Sequence, residues 1–146
     1  MEIINRKAKY NYEILKEIEC GIELKGTEIK SLKKGSANIT DAYARIKNKE
    51  VYIINMYIAK YEQGNIFNHE ERRERKLLLH KKEILKLKKE LEQNPYTLIP
   101  LKVYFVKNKA KVLLGLCKGK HNFDKRESIK ERDIKRQVAK AEKNVY

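Results

Sequence analysis

Arg72, Arg73, Arg75 and Lys76 crowd four cations into five positions of "NIFNHEERRERKLLLH", the densest chemistry in this 146-residue chain. Guanidinium forks grip phosphate oxygens, and the rings of Phe67 and His69 beside them are surfaces on which bases stack. The plainer alternative is a loop whose charge merely keeps the protein in solution. Catalytic spacings are missing. Neither GxxxxGK[ST] nor GxGxxG occurs, and no serine stands in a GxSxG turn. His69, His80 and His121 do not fit an HExxH zinc helix, and Cys20 and Cys117 belong to no metal-binding pattern. Glu28, Asp41, Glu70 and Glu71 are the acids from which a nuclease metal site would be assembled. Loose carboxylates in a chain with 20 of them are ordinarily solvated or ion-paired. A binding protein is expected, without catalytic centre, metal or cofactor.

Net charge is +15. The last 29 residues, "KGKHNFDKRESIKERDIKRQVAKAEKNVY", hold ten Lys/Arg and five Asp/Glu, so they carry +5 and the first 117 residues carry +10. A polyanion is the expected partner, nucleic acid ahead of an anionic membrane. No apolar run approaches the ~20 residues that span a bilayer. The start, "MEIINRKAKYNYEIL", lacks the apolar stretch and cleavage site of a secretory leader. A cytoplasmic protein with two buried free thiols is expected. The tail has too little apolar surface to offset ordering costs of roughly 1–2 kcal/mol per residue, so it should be loose when free. It still has helical potential, with Ile134, Val138, Ala141 and Val145 on one face and Glu131 four residues before Lys135. An amphipathic helix docked on its own domain is the alternative.

The elements that position these groups follow from periodicity. "NYEILKEIECGIEL" reads as a strand with Tyr12, Ile14, Ile18 and Cys20 at even steps, and Gly21 suggests a bulge or bend. Thr27 is a candidate cap for a short helix over 28–34, closed by Gly35. Two alternating pairs of runs predict hairpins, turning at Lys47-Asn48-Lys49-Glu50 and at Lys107-Asn108-Lys109. Between them, Ile84, Leu87 and Leu91 recur at helical spacing and Asn94-Pro95 ends the helix. Leu77, Leu78 and Leu79 read as core, with one of the three pointing outward if they form a strand. The expected fold is mainly β with short helices: a small closed antiparallel barrel of the oligonucleotide-binding type over residues 1–119, then a basic tail over 120–146.

"NRKAKYNYEIL", "GTEIKSLKKGSANITDAYARI", "YEQGNIFNHEERRERKLLLHKKEI", "YTLIPLKVYF" and "KGKHNFDKRESIKERD" occur in the order seen in the SsrA-binding protein family. The chain resembles that family, also called small protein B, from about Asn5 to Asp133. The resemblance implies an oligonucleotide-binding barrel that binds the tRNA-like domain of transfer-messenger RNA and delivers it to stalled ribosomes for trans-translation. It implies no catalysis by this chain, and a monomer is expected. It also implies a tail that is disordered when free and helical on the ribosome, lying on small-subunit rRNA at the decoding centre and in the empty mRNA channel.

Glu19, Leu78 and Lys111 match family positions tied to RNA binding. Asn5, Arg6, Lys7, Gly26, Glu28 and Asn38, inside the matching motifs, are expected to join them. Lys111 would meet phosphate. Glu19 would accept from base or ribose donors, or buttress a neighbouring cation; Leu78 would touch a splayed base or simply pack. In the tail, Phe123, Asp124, Lys125, Arg126, Lys130, Arg132, Lys135 and Arg136 are the expected ribosome contacts. Phe123 stands where the family often has histidine or tyrosine, so stacking is kept and a hydrogen bond is lost. Glu71 stands where a proline is frequent. The competing expectation is a general RNA-binding or ribosome-associated protein without preference for transfer-messenger RNA.

Overall fold

The computed structural model describes residues 2–119, without the side chains of 65–67. Phe67 as a stacking ring, the conformation of the tail and its eight expected ribosome contacts from Phe123 to Arg136 lie outside the described residues.

The chain runs β1 (Glu2–Ile4), α1 (Ala8–Asn11), β2 (Tyr12–Ile22), α2 (Gly26–Lys33), β3 (Ala37–Asn38), β4 (Tyr43–Lys47), β5 (Glu50–Ile54) and β6 (Tyr57–Ile58). A 3-10 turn (Glu62–Phe67), β7 (Arg75–Leu78), α3 (Lys81–Gln93), β8 (Tyr96–Val106) and β9 (Lys109–Gly119) follow. Six strands join in the order β8-β4-β5-β7-β2-β9, and pairing of β9 with β8 closes the ring. Every pairing in it is antiparallel. Closure removes the sheet edges that would otherwise template aggregation, and it gives the mainly β ring of strands with short helices that the alternation led one to expect. Outside the ring, β1 pairs with the end of β8, and β3 with β6 forms a separate small ladder.

Alternation puts Cys20, Ile53, Leu77, Leu98, Val103 and Leu114 inside, where Ile84 and Leu87 of α3 pack against them. Leu77 is fully buried and its neighbour Leu78 is 46% exposed, as a strand requires. Both hairpins close through two residues of positive φ: Asn48 (53°) and Lys49 (65°), then Lys107 (50°) and Asn108 (68°). Such turns match the right-handed twist of the flanking strands, and the second sets the register Val106↔Lys109 and Tyr104↔Lys111.

Two local expectations change. The irregularity in β2 falls at Leu15, between Ile14 and Lys16, and Gly21 stays in register. Gly21 serves closeness: a Cβ there would come 3.2 Å from the Cβ of Leu78, which would have to give by a few tenths of an ångström. A second irregularity follows Pro100 in β8, a natural site because proline has no N–H to give the ladder. The carbonyl of Leu101, at that irregularity, accepts the Asn5 N–H at 2.8 Å. Helix α2 starts at Gly26, before the expected 28. Its first turn is capped by the Glu28 carboxylate, which accepts the Lys25 N–H at 2.7 Å, and Gly35 at φ +75° follows its end.

Cys20 and Cys117 are free and buried, as expected. Burial pushes their thiols up to about 12 and about 11. Among the described residues no helix is long and apolar enough to cross a membrane.

Candidate nucleic-acid interface

Register decides which side chains meet. Gly21 lies opposite Lys111 on one flank and Leu78 on the other. Lys111 lies opposite Tyr104, while Leu113 lies opposite both Lys102 and Glu19. Cys20, Val103 and Val112 between them are buried, so Glu19, Gly21, Lys111, Leu113, Lys102 and Tyr104 share the outer face. Glu19, Leu78 and Lys111, far apart in sequence, are therefore brought to one patch. An open groove of about 380 Å³ runs there, lined among others by Leu24, Ile29, Leu78, Asn108 and Lys111.

Glu19 resolves into one definite contact: its carboxylate accepts a hydrogen bond from the Tyr104 hydroxyl. Burial, reinforced by the Glu19 hydrogen bond and charge, pushes the Tyr104 phenol up to about 12, so the hydroxyl remains a donor. Lys102 stands 5.6 Å from the centroid of the Tyr104 ring and pairs with Glu2 at 3.3 Å. Tyr104 and Lys102 were absent from the sequence expectations. Their signal was present in "PLKVYFVKNKAKVL": alternation aims both outward, and a two-residue turn brings Tyr104 opposite Lys111.

The arginine-rich run is corrected in part. Arg75 is the first residue of β7, and both it and Glu28 are fully buried. Arg73 Nε and Nη2 donate to Glu28 Oε2 and Oε1 at 3.1 and 2.8 Å, and Arg75 Nε donates to Oε2 at 2.7 Å. Arg75 spends its remaining donors on the carbonyls of Met56 at 2.7 Å and Glu71 at 3.2 Å. Neither Arg75 as a phosphate grip nor Glu28 as an RNA contact survives such enclosure. Arg72 donates to the Asn55 carbonyl and Oδ1 at 3.2 and 3.0 Å with its guanidinium 5.3 Å from the Tyr57 ring centroid. Lys76 pairs with Glu50 at 3.3 Å. The run clasps α2 and the segment before β7 to the ring.

His69 is buried as well and offers no stacking face. Its Nε2 lies 2.9 Å from the Ile58 carbonyl. A carbonyl only accepts, so Nε2 carries the hydrogen and Nδ1 accepts from the Thr27 hydroxyl at 2.8 Å.

Asn5, 4% exposed, is likewise corrected as a direct contact. Its Nδ2 donates to the carbonyls of Pro100 at 3.1 Å and Ile39 at 3.4 Å, stapling the end of β1 to the ring. Arg6 and Lys7 are exposed. Asn5 and Lys7 line a second cleft with Tyr12, Thr40 and Thr97, at the opposite end of β2 from Gly21, ~30 Å along an extended strand. Gly26 is exposed between the groove residues Leu24 and Ile29. Asn38 is exposed, and its Oδ1 accepts the Thr40 N–H at 2.8 Å.

A closed ring of antiparallel strands with a lysine-bearing groove on its outer face, beside the exposed edge of Tyr104, defines a small domain of the oligonucleotide-binding type. A family model described as "SmpB protein" matches residues 2–144. SsrA-binding proteins of Staphylococcus aureus strains Newman and NCTC 8325 / PS 47 are each 52% identical over 142 residues, covering 97% of this chain and 92% of theirs. A chain in a solved structure described as "tmRNA-SmpB: a journey to the center of the bacterial ribosome" is 48% identical, with a TM-score of 0.70, covering 88% of this chain and 94% of that one. The chain belongs to the SmpB protein family.

Proposed function

We propose that this protein is a non-catalytic, monomeric adaptor of the cytoplasm. It binds the tRNA-like domain of transfer-messenger RNA and carries it to stalled ribosomes for trans-translation. The ring, residues 1–119, holds the RNA at the outer-face patch of Glu19, Leu78 and Lys111, with Gly26 at its margin. Arg6, Lys7 and Asn38 add peripheral contacts. The tail, 120–146, takes the small-subunit rRNA as its partner at the decoding centre and mRNA channel, through Phe123, Asp124, Lys125, Arg126, Lys130, Arg132, Lys135 and Arg136.

The observation that carries the proposal is that Leu78 and Lys111 line one open groove and that register puts Glu19 beside them on the same outer face. The groove combines an exposed apolar side chain with a cation, as a splayed base and its phosphate require. The names of the relatives point to the same partner.

Affinities for the tRNA-like domain and for an ordinary tRNA, measured in parallel at about 0.15 M salt, test it. A preference of at least tenfold for the former, about 1.4 kcal/mol, is the expected result. Equal affinities that fall together as salt rises would instead make the +15 charge the whole explanation and the protein a general RNA binder.

A further inference from the structure

Tyr104 and Glu19 stand on strands that are not neighbours, with β9 between them. Two strand spacings are ~9.5 Å, and side chains on a strand normally stand up from the sheet. The hydrogen bond between hydroxyl and carboxylate therefore requires the phenol to lean down across β9. It crosses between Lys111, its own partner on that strand, and Leu113, the partner of Glu19. Tyr104 is half-buried, as a ring resting on the sheet with its other side outward must be. The Lys102 ammonium lies over the ring, 5.6 Å from its centroid, where an incoming base would take its place, and Lys111 is the ring's register partner on β9.

An aromatic ring laid on the outer face of a sheet among lysines is how sheet-based RNA binders hold an unstacked base. We propose that Tyr104 is a stacking platform for an unpaired RNA base, that Glu19 holds the ring down, and that Lys111 and Lys102 take the adjoining phosphates. The inference rests on the proposed function and adds to it a base-contacting residue and a reason for Glu19. A bare carboxylate beside phosphate repels it; one spent on a phenol hydroxyl acts through the ring. Lys102, held by an exposed pair with Glu2 and by its place over the Tyr104 ring, can turn toward a phosphate at a small cost and uncover the ring as it does so.

The chain contains no tryptophan, so Tyr104→Trp places a single indole on the platform. The expected outcome is that Y104W keeps its affinity for the tRNA-like RNA within about threefold, equivalent to less than about 0.7 kcal/mol, and that its emission is quenched at saturation. Tyr104→Ala should lose at least tenfold while its thermal transition stays cooperative, because the side chain lies on the outer face and not in the core. Glu19→Ala should weaken the wild type yet cost nothing further on top of Y104A. An indole whose emission is indifferent to saturating RNA, wild-type affinity in Y104A, or additive losses in the double variant would each overturn the inference. If the wild type itself fails to prefer the tRNA-like RNA, the proposed function falls. If the wild type does prefer it and Y104A matches it, the platform alone falls.

Discussion

Glu28 holds two guanidinium groups on one carboxylate in a place closed to solvent. Burial by itself would raise its pKa. The Arg73 hydrogen bond, the Lys25 N–H and Arg75 outweigh that and hold it at about 2, below the ordinary 4.5. A carboxyl depressed by folding contributes stability that is complete above its unfolded pKa. That stability is lost as pH falls through 4.5 toward about 2. Glu28→Gln should cost about 3–5 kcal/mol, since it leaves buried cations uncompensated. Urea midpoints at neutral pH check the loss. The same titration repeated down through pH 3 should give a shallower acid decline in the variant. A variant as stable as the wild type would mean the clasp is dispensable.

At the scale of elements, the two tight hairpins and the long ladders of β9 set the outer face. Lys107 and Asn108 both hold positive φ, a conformation that costs an ordinary L residue roughly 1–2 kcal/mol. Replacing the pair with Asn-Gly, the dipeptide such turns favour, should raise unfolding free energy by about 1 kcal/mol, read from denaturant midpoints at constant m-value. Turns, alternation and the α3 periodicity were legible because each is written in adjacent residues. The irregularity in β2 was not. A strand glycine marks either a bulge or a close approach, and only the position of Leu78 shows Gly21 to be the second. The arginine run was misread for a related reason. A sequence shows that cations are dense, but not that a carboxylate 45 residues away binds Arg73. The outer-face patch was half legible: Glu19, Leu78 and Lys111 came through resemblance, whereas Tyr104 needed the register.

For the whole molecule, charge and architecture divide the labour. The first 117 residues carry +10 without the tail, enough to attract RNA on their own. A chain ended after Gly119 should bind the tRNA-like domain within about threefold of the full protein, less than about 0.7 kcal/mol. It should fail to support tagging on stalled ribosomes in a reconstituted translation assay. Loss of RNA binding on truncation would place the affinity in the tail and overturn the division. Where the tail is attached has a mechanical consequence. Strand β9 pairs along its length with both β2 and β8 and ends at Gly119. Ladder hydrogen bonds lie across the strand direction, so a tug on that end along β9 strains two ladders at once, in shear. Bonds loaded together share the force, whereas peeled bonds break one by one. The ring is thus a firm mooring for whatever pulls on the segment beyond it.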